Sequence, residues 1–413
     1  MGSVEAALGA WGAYDLDDPF PLFARVRDLG AVHRVTLADG HAAWLIARYE
    51  EAWTALSDQR FSKDMHAALA ADSAVVAEGL PGPALARHML VVDPPDHTRL
   101  RKLVSAAFSP RRIEALRPRV QDIVDDLIDD MASAPGIAVD LIAAFAFPLP
   151  FTVICELLGV RDVDRVPLGT ALITLLSPTP SREAFARAKA SSDTVVAMLG
   201  ALVSGKREEP GDDLVSAMIS ARDGDDRLTE QELLSTIFQL IVAGHDTTAS
   251  LIGNGTVALL RHPEQLAALR RDPGLIPAAV EEFLRYDAPV PHSTFRYATE
   301  PVQIAGVTIP EGAQVLISLA AANRDATRFV DPDRLEIGRV GRHLSFGHGI
   351  HFCLGASLAR MEGQLAFASL LRRLPQLKLA VADDELHWDH GDGLVLRGLS
   401  HLPVIPGKTL RRD

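Results

Sequence analysis

The feature that most constrains this chain is a run starting at Thr229 that keeps helical apolar spacing to about Leu260. Thr229 and Glu232 stand three apart as a capping box, and Leu228 ahead of the cap can pack on Leu233 as a staple. His262-Pro263 ends the run, because the residue before a proline is pushed out of helical conformation. About 32 residues at about 1.5 Å each reach about 48 Å, enough to cross a whole domain. A helix this long and this apolar has to be central. Inside it, Gly244 is followed by Asp246, Thr247 and Thr248. Threonine hydroxyls compete for the carbonyl four residues back and bend helices, so a bend is predicted here. From the helix alone, a core helix with a solvated Asp246 is the plainer reading.

The rest of the chain sets outer limits. Its 413 residues are enough for a large core, and 48% apolar with 23% charged residues is globular usage. A formal charge of −13 with no long basic run argues against a nucleic-acid partner. The stretch from Met1 to Gly30 carries Asp15, Asp17, Asp18, Arg25, Arg27 and Asp28, so neither a signal sequence nor a membrane anchor is expected there. The most apolar window, Val139 to Val160, contains Pro148, Pro150 and Glu156 and reads as a core helix with its lead-in. Cys155 and Cys353 are the only cysteines. Two cysteines make a disulfide framework improbable, and the expectation is a cytoplasmic protein.

The coarse architecture is mostly α with a smaller β-rich part (α+β), read as a single domain over 1–413. The β-rich N-terminal part covers about 20–65 and includes a short strand at Ala43 to Ile46. The helical body covers about 93–288. In it Ser109-Pro110 caps a helix with apolar positions Ile113, Leu116, Val120, Ile123, Val124 and Leu127. The last part, about 289–405, holds strands around Pro310-Glu311-Gly312, a glycine-rich loop and a helix from about Leu354 to Leu374.

The richest segment is Phe346-Gly347-His348-Gly349-Ile350-His351-Phe352-Cys353-Leu354-Gly355. Cys353 precedes a helix, whose free N–H groups and positive dipole end favour thiolate over thiol. Gly347 and Gly349 allow tight turns close to a flat cofactor, and Gly355 leaves room where the helix passes beneath it. Two other readings stay open by residue type. One is a glycine-rich loop around an inert cysteine; the other is a zinc site among His343, His348, His351 and Cys353.

The spacing Phe-Gly-x-Gly-x-His-x-Cys-x-Gly, met by Phe346, Gly347, Gly349, His351, Cys353 and Gly355, resembles the cysteine-ligand loop of cytochromes P450 at every fixed position. The resemblance implies haem b between the long distal helix and the proximal cysteine loop and helix, with Cys353 as the iron ligand. It implies that Asp246 and Thr247 relay protons while Ala243 and Gly244 leave space over the iron. It assigns haem propionates to His97, Arg101, Arg296 and His351. It also implies a buried Glu282–Arg285 pair tied to Arg334, beside Leu335 where the family usually has an aromatic residue.

The likeness runs from Asp18-Pro19 to Arg397-Gly398-Leu399 and is narrowest to actinobacterial members acting on macrolides, polyketides and sterol-like molecules. Arg60-Phe61-Ser62-Lys63-Asp64, Glu156-Leu157-Leu158-Gly159-Val160 and Val290-Pro291 carry that narrower likeness. It implies a monooxygenase that puts one atom of O2 into a bulky hydrophobic molecule, by hydroxylation or epoxidation. Electrons would come from NAD(P)H through ferredoxin reductase and ferredoxin, docking on Arg99, Lys102, Arg111, Arg112, Arg342 and Arg360. Substrate contacts are expected at Leu90, Val91, Gln239, Leu240, Val242, Val290, His292, Ser293, Thr294 and Val395, in loops including about His66 to Val92 and Ser177 to Ser181. A monomer is expected. Two rival functions are a peroxide-driven haem-thiolate oxygenase and a haem-thiolate ligand sensor.

Overall fold

A computed structural model describes residues 10–11, 14–38, 40–64, 82–105, 108–131, 136–176, 181–221, 227–389 and 394–412. In chain order the helices are α1 (Phe20–Leu29), α2 (Tyr49–Ser57), α3 (Asp96–Ser105), α4 (Pro110–Ala115), α5 (Arg117–Met131), α6 (Pro148–Leu158) and α7 (Asp162–Leu176). They continue with α8 (Arg182–Glu208), α9 (Leu214–Ser220), α10 (Glu230–Arg261), α11 (Pro263–Arg271), α12 (Ile276–Tyr286), α13 (Leu319–Asn323) and α14 (Ala356–Arg373). The strands are β1 (Ala10–Trp11), β2 (Val32–Leu37), β3 (Ala42–Ile46), β4 (Phe61–Ser62), β5 (Val139–Asp140) and β6 (Arg296–Ala298). Then come β7 (Val302–Ile304), β8 (Val307–Ile309), β9 (Gln314–Ile317), β10 (Lys378–Leu379) and β11 (Pro403–Ile405). The fold is the expected mostly helical body with a smaller sheet part. Two compact units are built from interleaved segments: one from 1–62, 117–149 and 247–413, the other from 63–116 and 150–246.

In the first unit a six-stranded sheet has the order β1-β2-β3-β9-β6-β4. Alternation along the strands sorts residues to its two faces. Ile46, Phe61, Val315 and Ile317 join Leu56 of α2 in one cluster, while Leu45 and Leu316 join Trp11 and Phe23 in another. Strand β6 runs antiparallel to β9 and sets Arg296 opposite Val315. The expected turn at Pro310-Glu311-Gly312 is present between β8 and β9: the Ala313 N–H donates to the Pro310 carbonyl at 3.2 Å and Gly312 takes φ of 73°. A second turn precedes it, where the hairpin β7–β8 closes at Ala305-Gly306 with φ values of 48° and 78° that suit a tight primed turn. Strand β9 then pairs with β3 and β6.

The helical part of this unit packs α14 against α5 and α12. Leu251, Leu259, Val280, Phe283, Leu335 and Phe367 make its core, so Leu335 fills the site where the resemblance suggested an aromatic. A Cβ on Gly255 would lie 2.6 Å from the Phe367 ring, so only glycine lets α10 come this close. Elsewhere cations and rings alternate in a row: Tyr286, Arg324, Phe20, Arg397, Trp388 and Arg261, with Arg324 3.4 Å above Phe20. This row links chain segments as far apart as α1 and the residues after Leu394.

In the second unit the capping box of α10 forms: the Thr229 N–H donates to Glu232 at 2.9 Å and the Glu232 N–H to the Thr229 hydroxyl at 3.3 Å. Arg99 of α3 adds a charged partner to Glu232, and α7 packs along α8. The helix expected to run on from Ser109 ends as α4 and restarts as α5. Pro118 is the reason, since its ring collides with the carbonyl four residues earlier and it has no N–H to donate. No single described helix is long and apolar enough to cross a membrane.

Candidate functional site

The cysteine loop is a chain of tight turns. The Gly347 N–H donates to the Leu344 carbonyl at 2.7 Å, the Phe352 N–H to Gly349 at 3.1 Å, and the Cys353 N–H to Phe346 at 2.9 Å. Gly347 and Gly349 take φ of 70° and 74°. A Cβ on Gly349 would also press to 2.9 Å on the Leu56 carbonyl, so the position is closed to other residues twice over. Cys353 emerges exposed, three residues before α14 begins. The other thiol is its opposite: burial pushes Cys155 up to about 12, which makes it an inert core residue.

Beneath the loop lies the expected ion-pair network, with one member corrected. Glu282 and Arg285 are both buried and pair at 2.7 Å and 2.8 Å. The third charged member is Arg339, whose Nε donates to Glu282 at 3.2 Å; Arg334 is exposed and contributes only its backbone carbonyl to Arg285. The meander turns at Gly338, with φ of 95°, and so returns the later arginine to the carboxylate. Sequence reasoning missed Asn323 and Ser345, which tie this network to the loop. The Asn323 carbonyl accepts from Arg285 at 3.0 Å, its side-chain oxygen accepts from the Leu344 N–H at 2.7 Å, and its amide donates to Ser345 at 2.8 Å. No spacing rule marks these residues, because their role exists only through long-range contact.

A second carboxylate buttresses the loop. Burial alone would raise Glu281, but hydrogen bonds from His343 and Arg360 outweigh it and hold the group at about 2. Arg360 also lies 4.5 Å over the Phe346 ring. His348 stacks on Trp53 at 3.6 Å. With His343 and His348 thus engaged, the zinc reading fails, and no metal-ligand cluster occurs among the described residues. Of the cations expected to dock a ferredoxin, Arg99, Arg112 and Arg360 each sit in an ion pair with a carboxylate.

On α10 the burial pattern breaks at mid-length. Leu240 and Ile241 are buried on one side and Thr248, Ala249 and Ser250 on the other, yet Ala243 is exposed and Val242, Gly244, Asp246 and Thr247 are half-buried. A central helix with an accessible alanine at its middle borders open space. The smallness of Gly244 serves helix packing, since a Cβ there would meet Ile154 of α6 at 3.1 Å.

The remaining predicted residues divide between the units. In the second, His97 and Arg101 share one face of α3; burial, then the Arg101 charge, pushes His97 below the usual histidine range. Leu90 and Val91 are accessible, and the Gln239 side-chain oxygen is buried without a hydrogen bond among the described residues. In the first, Arg296 is buried at the start of β6, His351 lies in the loop, and Val290, Thr294 and Val395 are half-buried. The Ser293 hydroxyl is buried without a hydrogen bond among the described residues. His292 is corrected: Trp11 donates to its Nε2 at 3.2 Å and its Nδ1 donates to the Leu394 carbonyl at 2.9 Å, so both nitrogens are committed to the fold. Of the two expected substrate loops, 65–81 and 177–180 lie outside the described residues.

Glu362, one more residue the sequence did not mark, is fully buried on α14 with no hydrogen bond of good geometry among the described residues. Burial pushes its carboxyl up to about 8, only partly offset by the Thr248 hydroxyl. Within the first unit, an exposed sulfur at a helix start and a glycine cradle braced by two carboxylate networks suit a thiolate-ligated haem. Residues 170–273 and 274–398 match the family described as Cytochrome P450. Cytochrome P450 107B1 of Saccharopolyspora erythraea is 49% identical over 390 residues, covering 93% of this chain and 94% of its own. The 6-deoxyerythronolide B hydroxylase of the same organism is 45% identical over 394 residues, covering 94% and 96%. The structure of the Bacillus subtilis bacillaene polyketide synthase cytochrome P450 PksS superposes with a TM-score of 0.87 at 38% identity, covering 95% of this chain and 97% of that one. Cysteine loop, buried carboxylate network and near full-length likeness agree, and this chain belongs to the cytochrome P450 family of monooxygenases.

Proposed function

We propose that the enzyme hydroxylates or epoxidises a bulky, mostly apolar molecule of polyketide, macrolide or sterol-like type in the cytoplasm, with electrons passed from NAD(P)H through ferredoxin reductase and ferredoxin. The observation that carries this reading is the accessible window at Ala243, Asp246 and Thr247 in the middle of an otherwise buried helix. Apolar Leu90, Val91, Leu240, Val242, Val290 and Val395 suit such a substrate, and Gln239, Ser293 and Thr294 supply a few polar atoms to orient it. Two relatives support the class by name, one a 6-deoxyerythronolide B hydroxylase and one a polyketide synthase P450.

Haem b, when bound, supplies the activation of O2 through thiolate-ligated iron. Cys353 would hold it through Sγ, kept as thiolate by the N-terminal end of α14. Arg296, His351, His97 and Arg101 would pair with its propionates. Per turnover the substrate gains one oxygen atom and the other leaves as water, which takes two electrons and two protons. The Asp246 carboxyl and the Thr247 hydroxyl would move those protons inward while the apolar side chains around them exclude bulk water.

Reconstitution tests the reading. With NAD(P)H, ferredoxin reductase and ferredoxin, holoenzyme should oxidise a molecule chosen by haem difference spectra from macrolides, sterols and fatty acids. Equal turnover with hydrogen peroxide alone would favour the peroxide-driven alternative. Tight binding without product under either condition would favour a sensor.

A further inference from the structure

Between Gly244 and Asp246 stands His245, a residue the proposed relay does not use. The residue is 2% exposed and its ring meets Phe151 of α6 edge-on at 5.4 Å. Nδ1 lies 2.7 Å from the Ile241 carbonyl oxygen. A carbonyl can only accept, so Nδ1 carries hydrogen. Nε2 lies 3.2 Å from Asp246 Oδ1. A neutral ring with hydrogen on Nδ1 offers a lone pair at Nε2, and a carboxylate oxygen offers another. Two lone pairs at that distance, one on a buried ring and one on a half-buried carboxylate, repel. The contact is attractive only when one proton lies between them, either on Nε2 or on Oδ1.

We infer that His245 and Asp246 form a dyad that retains one transferable proton beside Thr247, with His245 as the positioning residue. This rests on the reading of Asp246 as a proton donor. When the dyad gives its proton inward, the Asp246 carboxylate is left facing the Nε2 lone pair. That state is unfavourable until water returns a proton to Oδ1 or Nε2, so release and refilling are coupled. Each of the two protons used per turnover passes through one such cycle, and His245 ends each cycle as it began.

The test uses holoenzyme labelled with 15N-histidine in its reduced, carbon-monoxide-bound, diamagnetic form. The His245 signal among 14 histidines is identified by its loss in His245→Phe. Infrared difference spectra between wild type and Asp246→Asn report the carboxyl. The inference expects hydrogen on Nδ1, together with either a protonated Nε2 or a carboxylic-acid band from Asp246. Hydrogen on Nε2 with a bare Nδ1, or hydrogen on Nδ1 alone beside an ionised Asp246, overturns it. In turnover, His245→Phe should lower kcat roughly tenfold, short of the ~100-fold or more that loss of a positioned proton donor brings. KM should hold, and His245→Gln, whose amide nitrogen can occupy the Nε2 position, should recover part of the rate. Unchanged kcat in His245→Phe alongside a slow Asp246→Asn would reject the dyad and leave the relay standing. Full activity in Asp246→Asn would reject the relay itself.

Discussion

Two thiols in one chain give a controlled comparison at the scale of single residues. Cys353 is exposed at a helix start and Cys155 is buried with its pKa raised to about 12. Cys353→Ala should lose the carbon-monoxide difference band of thiolate-ligated haem, and Cys155→Ala should keep it; spectra of the reduced proteins decide. Thr247→Ala should fold, bind haem and bind substrate, since only a hydroxyl and a methyl are removed. Its product per NAD(P)H should fall by about 10-fold or more while hydrogen peroxide accumulates; unchanged coupling would make Thr247 only a part of the helix bend. The Glu282–Arg285 pair and the placing of Cys353 ahead of a helix were legible because their chemistry and spacing are local. The error of Arg334 for Arg339 arose because two arginines five apart in an irregular meander look alike until Gly338 turns the chain. Asn323, Ser345 and Glu362 were illegible because their partners come from far along the sequence.

At the scale of elements, α10 was read almost to its ends, since capping, periodicity and a closing proline agree. The α4–α5 break is hidden because a single proline outweighs the apolar pattern around it, whereas the turn at Pro310-Glu311-Gly312 stands where the sequence puts it and the second one at Ala305-Gly306 carries no proline to mark it. Helix α14 yields a prediction of its own. Glu362 has a folded pKa of about 8 against an ordinary 4.5, so between those values the folded state holds a proton that the unfolded state releases. The stability contributed by the buried acid is therefore fully present below about pH 4.5 and is lost as pH rises toward 8. Glu362→Gln removes this dependence. Urea unfolding should show the variant gaining on wild type from pH 5 to pH 8 by a few kcal/mol, about 1.4 per pKa unit. Equal differences at both pH values would mean that the Glu362 carboxyl is ionised in the fold.

Across the whole molecule, Arg397 carries more than any local motif suggests. It donates to the buried Asp287 at 2.8 Å and to the Leu16 carbonyl, and its guanidinium lies 4.9 Å over Trp388. Arg397→Ala leaves Asp287 without its cation and should lower stability by about 3 kcal/mol, read by denaturant unfolding of holoenzyme. The same long-range ties have a consequence for synthesis. The unit that contains Cys353 is assembled from 1–62, 117–149 and 247–413, whereas the other is complete in sequence by Asp246. On the ribosome β1, β2 and β3 can pair with one another early, but the far edge of β3 and the face of α1 must wait for β9, Arg324 and Arg397 to emerge. The unit translated as a middle insertion can fold while the outer one is still being made, and haem capture becomes one of the last events in the life of the nascent chain.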